Sequence, residues 1–269
     1  MTAVRNDGRR QDQIRPILIQ YDVYGYADAS VLFEQGNTKV LVGITLQQTV
    51  PPFLKGQKTG WLSAEYAMLP HATQQRTTRE STQNNRNARS VEISRLIGRC
   101  LRPTVDLVAL GERSIMIDCD VLQADGGTRV ACISAASAAL RLAVTRWVSM
   151  GVLDKNIFKE SIAALSIGIV NQQALVDLDY SEDSQADADF NVVLTENGKL
   201  IEIQGTSEKN AISWDLFDQI KKHAQDGIAA VLKAIQNTPM PTVIPSNVSP
   251  TRSSFQRPAL FSLANRLQK

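Results

Sequence analysis

The sequence predicts an α/β (α+β) protein made of two similar halves, each a group of strands followed by a long helix. Three observations carry this reading. Runs of β-branched and aromatic residues broken by turn signals fill residues 16–69, and strand signals return over 164–204. Each block leads on to apolar residues at the three-to-four spacing of a helix, over 129–150 and again over 214–236. At 269 residues, with 43% hydrophobic and 21% charged, the chain can bury a sizeable core. No strong sequence repeat accompanies the repeated pattern.

The elements follow in order. Glu34-Gln-Gly-Asn-Thr38 separates Val31-Leu-Phe33 from Lys39-Val-Leu-Val-Gly-Ile-Thr45, so the block over 16–69 reads as a hairpin meander. A polar, arginine-bearing loop comes next, then a helix over 89–101 and a strand over 114–123. Ala124-Asp-Gly-Gly-Thr-Arg129 joins that strand to the next helix. Thr128 is a suitable N-cap, Val130, Ile133, Ser137, Leu140, Val144 and Trp147 mark one helix face, and Gly151 stops the run. Strands are expected over 164–170, 175–179, 191–194 and 200–204, with Asn197-Gly198 as a tight turn. Ser213 caps a helix over 214–236, with Asp215 in its first turn. The body is therefore 1–236. Residues 237–269 hold five of the ten prolines among Ser, Thr and Asn, and are expected to be a disordered basic tail with at most a helical turn or two over 260–267.

Composition excludes several classes. No apolar stretch reads as long enough to span a membrane, and the polar residues 1–10 are unlike a secretory signal. Cys100, Cys119 and Cys132 lie in apolar-periodic segments without metal-ligand spacing, which suits reduced core thiols and a cytoplasmic protein. Arg252, Arg257, Arg266 and Lys269 face no acidic residue in the tail, leaving 25 basic and 27 acidic residues in the body. A nucleic-acid site must therefore come from local clustering.

Two clusters carry chemistry. At the start of the helix after Gly126-Gly127, unpaired N–H groups and the positive dipole end favour an anion, and Arg129 adds a two-pronged oxyanion fork. This is neither a Walker loop nor a dinucleotide fingerprint, and an ordinary strand-to-helix connection is the bland alternative. Upstream, Arg76, Arg79, Arg86, Arg89, Arg95, Arg99 and Arg102 face only Glu80 and Glu92. The stretch from Arg76 to Arg86 has no aromatic residue, so it can grip phosphates but not stack bases. Arg95, Arg99 and Arg102 share the face opposite Ile93, Leu96 and Ile97, a solvated face with ion pairs, Glu92 being one turn from Arg95. The second cluster is Asp177, Asp179, Glu182, Asp183, Asp187 and Asp189. Six carboxylates in thirteen residues can hold a hard divalent cation, the alternative being a solvated acidic loop. With two histidines in the chain, acid–base work falls mainly on these carboxylates, and His223 reads as a helix-surface residue.

Phe53-Leu-Lys-Gly-Gln57, Gly60-Trp61, Ala64-Glu-Tyr66, Met68-Leu-Pro70, Glu92-Ile-Ser-Arg-Leu-Ile-Gly-Arg99, Asp118-Cys-Asp-Val-Leu-Gln-Ala-Asp-Gly-Gly-Thr-Arg129, Gly168-Ile-Val170 and Ile203-Gln-Gly-Thr206 together resemble the bacterial-type ribonuclease PH family. The match runs in order from about Arg9 to Ala234. The resemblance implies a ribonuclease PH-like fold (ribosomal S5 domain 2-like) in a ring-forming subunit, a homohexamer built as a trimer of dimers. It implies a phosphate-dependent 3′→5′ exoribonuclease that trims tRNA precursors, transfers nucleotides to inorganic phosphate and uses a divalent cation such as Mg²⁺. By motif, Arg89, Gly127, Thr128 and Arg129 would bind phosphate. Asp183 and Asp189 would hold the metal or assist proton transfer, and His71, Arg76 and Arg79 would guide RNA. Two positions depart from the family: His71 stands where arginine is usual and Ala88 where glycine is usual. A non-catalytic RNA-binding ring subunit of an exosome-like assembly, or a metal-dependent hydrolase using water, are the competing readings.

Overall fold

A computed structural model describes residues 5–82 and 87–241. Arg86, the tail from residue 242 and the expected turns over 260–267 lie outside the described residues. In the first half, β1 (Ile17–Tyr21), β2 (Ala29–Gln35) and β3 (Thr38–Gln47) form the expected antiparallel meander. β4 (Trp61–Met68) does not continue it. After β4 the chain crosses through α1 (Ala88–Leu101) and the single turn α2 (Leu107–Leu110) to β5 (Ser114–Gln123), and β4 pairs with β5 in parallel. The sheet order is β1-β2-β3-β5-β4. A strand–helix–strand crossover returns the chain in its original direction, which the alternation of side chains in residues 61–68 does not reveal.

The second half is an antiparallel sheet ordered β7-β6-β8-β9. Its strands are β6 (Ile162–Val170), β7 (Gln173–Val176), β8 (Ala188–Thr195) and β9 (Leu200–Ser207), with the single turn α4 (Tyr180–Asp183) between β7 and β8. Helix α5 (Trp214–Asn237) covers β6 and β7. Ser213 caps it as expected, its Oγ accepting the Leu216 N–H at 3.2 Å.

Between the sheets runs α3 (Thr128–Ser149), packed on β2 and β3 of one and β6 of the other. One apolar face was expected, yet sixteen of its 22 residues are buried. The reason lies in its small residues: Ala131, Ser134, Ala135, Ala138 and Ala139 let strands approach on both sides. Ser134 and Ser137 accept the Ala164 and Ile162 backbone N–H groups at 3.0 Å, so their hydroxyls are satisfied while docking β6. Among the described residues α3 is also the one helix long and apolar enough to cross a membrane, contrary to the sequence reading; its apolar surface is taken up by the two sheets.

The halves are further joined by the segment before β1. Arg5 donates to both oxygens of Glu182 at 2.7 and 2.6 Å. Arg15 meets Asp177 through its backbone N–H and its guanidinium, each at 2.7 Å. All four residues are buried, so each charge relies on its partner. The three cysteines are free and buried as expected, and burial pushes the Cys100 thiol up to about 12. Removing one member of the buried network strands the others. Asp177→Ala should lower unfolding free energy by about 3–5 kcal/mol, read by urea or thermal unfolding; a loss below about 1 kcal/mol, the worth of a surface pair, contradicts this account.

Candidate active site

The turn between β5 and α3 is built from two left-handed glycines, with φ of 78° at Gly126 and 65° at Gly127. A Cβ on Gly126 would lie 2.4 Å from the Leu178 carbonyl oxygen, so only glycine fits. Thr38 Oγ1 donates to the Gly126 carbonyl at 2.7 Å and accepts the Asp125 N–H at 3.1 Å, tying the turn to β3. The helix N-cap is Gly127, with no side-chain cap bond. Thr128, expected in that role, is the first helical residue, and its hydroxyl sits 3.0 Å from the Tyr66 hydroxyl. An N-cap residue needs non-helical backbone, and the second left-handed glycine already supplies it. The first N–H groups of α3 are thus left for a ligand.

A cleft of about 580 Å³ opens at this helix end. Arg89, Gly127, Thr128 and Arg129 line it from the first half, and Asp183, Asp189, Asn191 and Tyr180 from the second. Thr73, Gln74, Gln75 and Thr77, from the loop after β4, form the rim. Arg89 heads α1, where Asn87 Oδ1 accepts its backbone N–H at 3.0 Å. Arg129 lies 3.5 Å from half-exposed Glu92, a loose pair that leaves the guanidinium available. Glu92 therefore pairs across to α3, rather than with Arg95. Of the other arginines on α1, Arg99 pairs with Glu202 at 2.7 Å, and Arg102, just past its end, stacks 4.2 Å over Trp61.

The six clustered acids do not act together. Asp177 and Glu182 belong to the buried arginine network, and Asp179 caps α4 by accepting the Glu182 N–H at 2.9 Å. Asp187 pairs with Lys209 at 2.9 Å. Only Asp183 and Asp189 face the cleft, and no group of three or more potential metal ligands occurs among the described residues. Of the six acids that could hold a cation, the two that the family resemblance assigns to the metal are the two at the cleft, because the loop folds around an α-turn that sends the others in different directions. Partial desolvation and, second, the Asp189 charge raise the Asp183 pKa, although the residue as a whole is exposed; Arg89 and Arg129 pull it the other way.

His71, Arg76 and Arg79 are exposed on the loop after β4 and do not line the cleft. Sequence reasoning assigned no role to Tyr66, although it stands in the Ala64-Glu-Tyr66 motif, nor to Tyr180, Asn191 and Ser166. Ser166 Oγ is buried beside Gly127 without a hydrogen-bond partner among the described residues. A second cavity, also of about 580 Å³, adjoins Arg9, Arg15 and Ala234, but its arginines are already committed to buried carboxylates.

Two family models, described as the 3′ exoribonuclease family, domain 1 and domain 2, match residues 13–145 and 160–227. The chain belongs to this family. Within it, ribonuclease PH of Neisseria meningitidis serogroup C is 48% identical over 229 residues, covering 85% of this chain and 95% of the relative. Serogroup A and B proteins of the same name match equally well. Among solved structures, an exosome of Archaeoglobus fulgidus with RNA bound to the active site superposes with a TM-score of 0.72 at 21% identity, covering 86% and 92% of the two chains. Rice (Oryza sativa) Rrp46 gives 0.70 at 16%, covering 87% and 99%. These two establish the fold. The family boundary at residues 145–160 runs from the last turn of α3 to just before β6, so the cleft, lined from both matched segments, lies where its two domains meet.

Because the folded state holds the Asp183 proton more tightly than the unfolded chain, lowering pH through the carboxylate range favours folding, and above that range the ionised pair opposes it. In metal-free protein, Asp183→Asn should therefore melt higher than wild type at pH 8, with the gap closing as pH falls towards 4. A gap of opposite sign, or one independent of pH, would contradict the raised Asp183 pKa.

Proposed function

We propose that the cleft binds inorganic phosphate at the α3 N-terminus and uses it to cleave RNA from the 3′ end, releasing nucleoside diphosphates. The observation that carries this reading is the meeting of Arg89, Arg129 and the uncapped helix end with Asp183 and Asp189 in one cleft. The attacking group and the phosphodiester are both anions, so positive charge must offset their repulsion before they approach. Two guanidinium groups and the helix N–H groups do so, and they are aimed where charge develops in the transition state. A phosphate oxygen bonds to the phosphorus of the terminal nucleotide as the bond to the preceding 3′ oxygen breaks. The proton lost by the phosphate ends on that departing oxygen, and Asp183, whose pKa is raised, is placed to assist its passage. One phosphodiester is exchanged for a diphosphate, so the step is readily reversible.

Asp183 and Asp189 also fit a divalent cation such as Mg²⁺, which needs one or two carboxylates with phosphate and water completing its shell. Their mutual repulsion is what a cation would relieve. When bound, such an ion supplies charge neutralisation at the reacting phosphoryl group. His71, Arg76 and Arg79, beside the rim, are proposed to steer the RNA strand, with tRNA precursors as the substrate. Assembly as a homohexamer, a trimer of dimers, belongs to the same proposal: exposed Tyr26, Val108, Leu200 and Trp214 are surfaces that association would cover. So does residence in the cytoplasm, which suits three free thiols. A non-catalytic ring subunit would need an eroded anion wall or carboxylate wall, and both are present.

RNA shortening should require added phosphate and give diphosphates; shortening at full rate without phosphate overturns the reading. Arg129→Ala should slow phosphorolysis by about 10²–10³-fold while leaving RNA binding within a few-fold, and near-normal rates at sub-saturating phosphate would remove Arg129 from the site.

For the rim, paired replacement Arg76→Ala with Arg79→Ala should weaken RNA binding. The dependence of log affinity on log salt should flatten by about 0.7 per lost phosphate contact. An unchanged slope would place the RNA path elsewhere.

A further inference from the structure

Tyr66 is nearly fully buried near the end of β4, and among the described residues its hydroxyl has Thr128 Oγ1 as partner, 3.0 Å away. Thr128 in turn lines the cleft. Two hydroxyls sharing one contact can be oriented in two ways, and the surroundings decide between them. If Thr128 donated to Tyr66, the tyrosine proton would be left unpaired in a buried position, which is costly. The cleft would then meet a threonine lone pair, which repels an oxyanion. If Tyr66 donates, its own proton is satisfied and the threonine proton is free to turn towards the cleft. With an anion present, only this second order satisfies both protons.

We propose that Tyr66 is a positioning residue for phosphate: its hydroxyl donates to Thr128 Oγ1 and thereby presents the Thr128 proton to the bound anion. The inference rests on the phosphate site proposed above and extends it one residue inward. Burial raises the Tyr66 pKa well above the usual phenol value, so the donor keeps its proton throughout the working range. Arg89 and Arg129 act in the opposite sense without reversing this. The relay costs no flexibility, since Tyr66 is fixed in the β4–β5 ladder opposite Cys119 and Thr128 in the first turn of α3. A chain of two hydroxyls also polarises each bond along it, strengthening the one made to the anion.

The test is a double-mutant cycle on Tyr66→Phe and Thr128→Val, read by calorimetric binding of inorganic phosphate and by separate KM values for phosphate and RNA. Tyr66→Phe should weaken phosphate about three- to ten-fold, with the RNA KM within two-fold. Thr128→Val should weaken it about ten-fold or more, and the double variant should match Thr128→Val alone, because Tyr66 acts only through Thr128. Phosphate binding unchanged in Tyr66→Phe, or a double variant showing the product of the two losses, overturns the inference. Should Tyr66→Phe not fold, 3-fluorotyrosine incorporated throughout makes the phenol a stronger donor without changing its shape. Tighter phosphate binding that disappears in Thr128→Val then supports the relay, and unchanged binding overturns it. Wild-type protein that shortens RNA without phosphate sinks the site reading and the relay with it. Diphosphate release by wild type with an unaffected Tyr66→Phe sinks the relay alone.

Discussion

The cleft depends on one close approach of backbone to backbone. At Gly126 the turn leaving β5 comes so near Leu178 and Asp179 that an added Cβ would lie 2.4 Å from one carbonyl oxygen and 2.8 Å from the next carbonyl carbon. That contact joins the N-terminal end of α3, where phosphate is proposed to bind, to the carboxylate loop of the second half. Arg15 holds both sides of it, donating to the Asp125 carbonyl while its guanidinium grips Asp177. The separation between the cationic wall and Asp183 is therefore set by buried backbone and buried charge, which relax little, rather than by surface loops.

This arrangement suits a reaction between two anions. Cations that wandered would have to be reorganised at the moment of attack, whereas a helix end and arginines fixed at the starts of α1 and α3 are oriented beforehand. The opposing pair of acids sits on an α-turn and the adjoining strand, with Arg5 securing that turn through Glu182. Cation and carboxylate thus lie near enough for Arg89 and Arg129 to act on the Asp183 charge, while the ion pair that Arg129 makes is the loose one with Glu92.

Much of this was legible along the chain wherever the cause was local. β5, the glycine turn and α3 occur within a residue of their expected bounds, because strand alternation, left-handed glycines and helical periodicity are all short-range signals. Ser213, Asn197-Gly198 and the buried thiols were legible for the same reason. What escaped depends on long-range partners. Nothing near Asp177 announces that Arg15, 162 residues earlier, will neutralise it, so six acids looked like one cluster. The parallel pairing of β4 follows from the crossover through α1, and the burial of α3 on both sides follows from the second sheet; neither is written in the segment itself. The choice of Asp183 and Asp189 came from family resemblance, and the fold brings both to the cleft.

The central claim is that phosphate, rather than water, attacks RNA in this cleft, and oxygen tracing tests it most directly. RNA is degraded with inorganic phosphate carrying ¹⁸O at all four positions, and the released nucleotides are weighed by mass spectrometry. The account predicts nucleoside diphosphates whose terminal phosphate and bridging oxygen carry the label, so all four labelled oxygens are retained. Unlabelled monophosphates that instead take up one ¹⁸O when the reaction is run in H₂¹⁸O would contradict it.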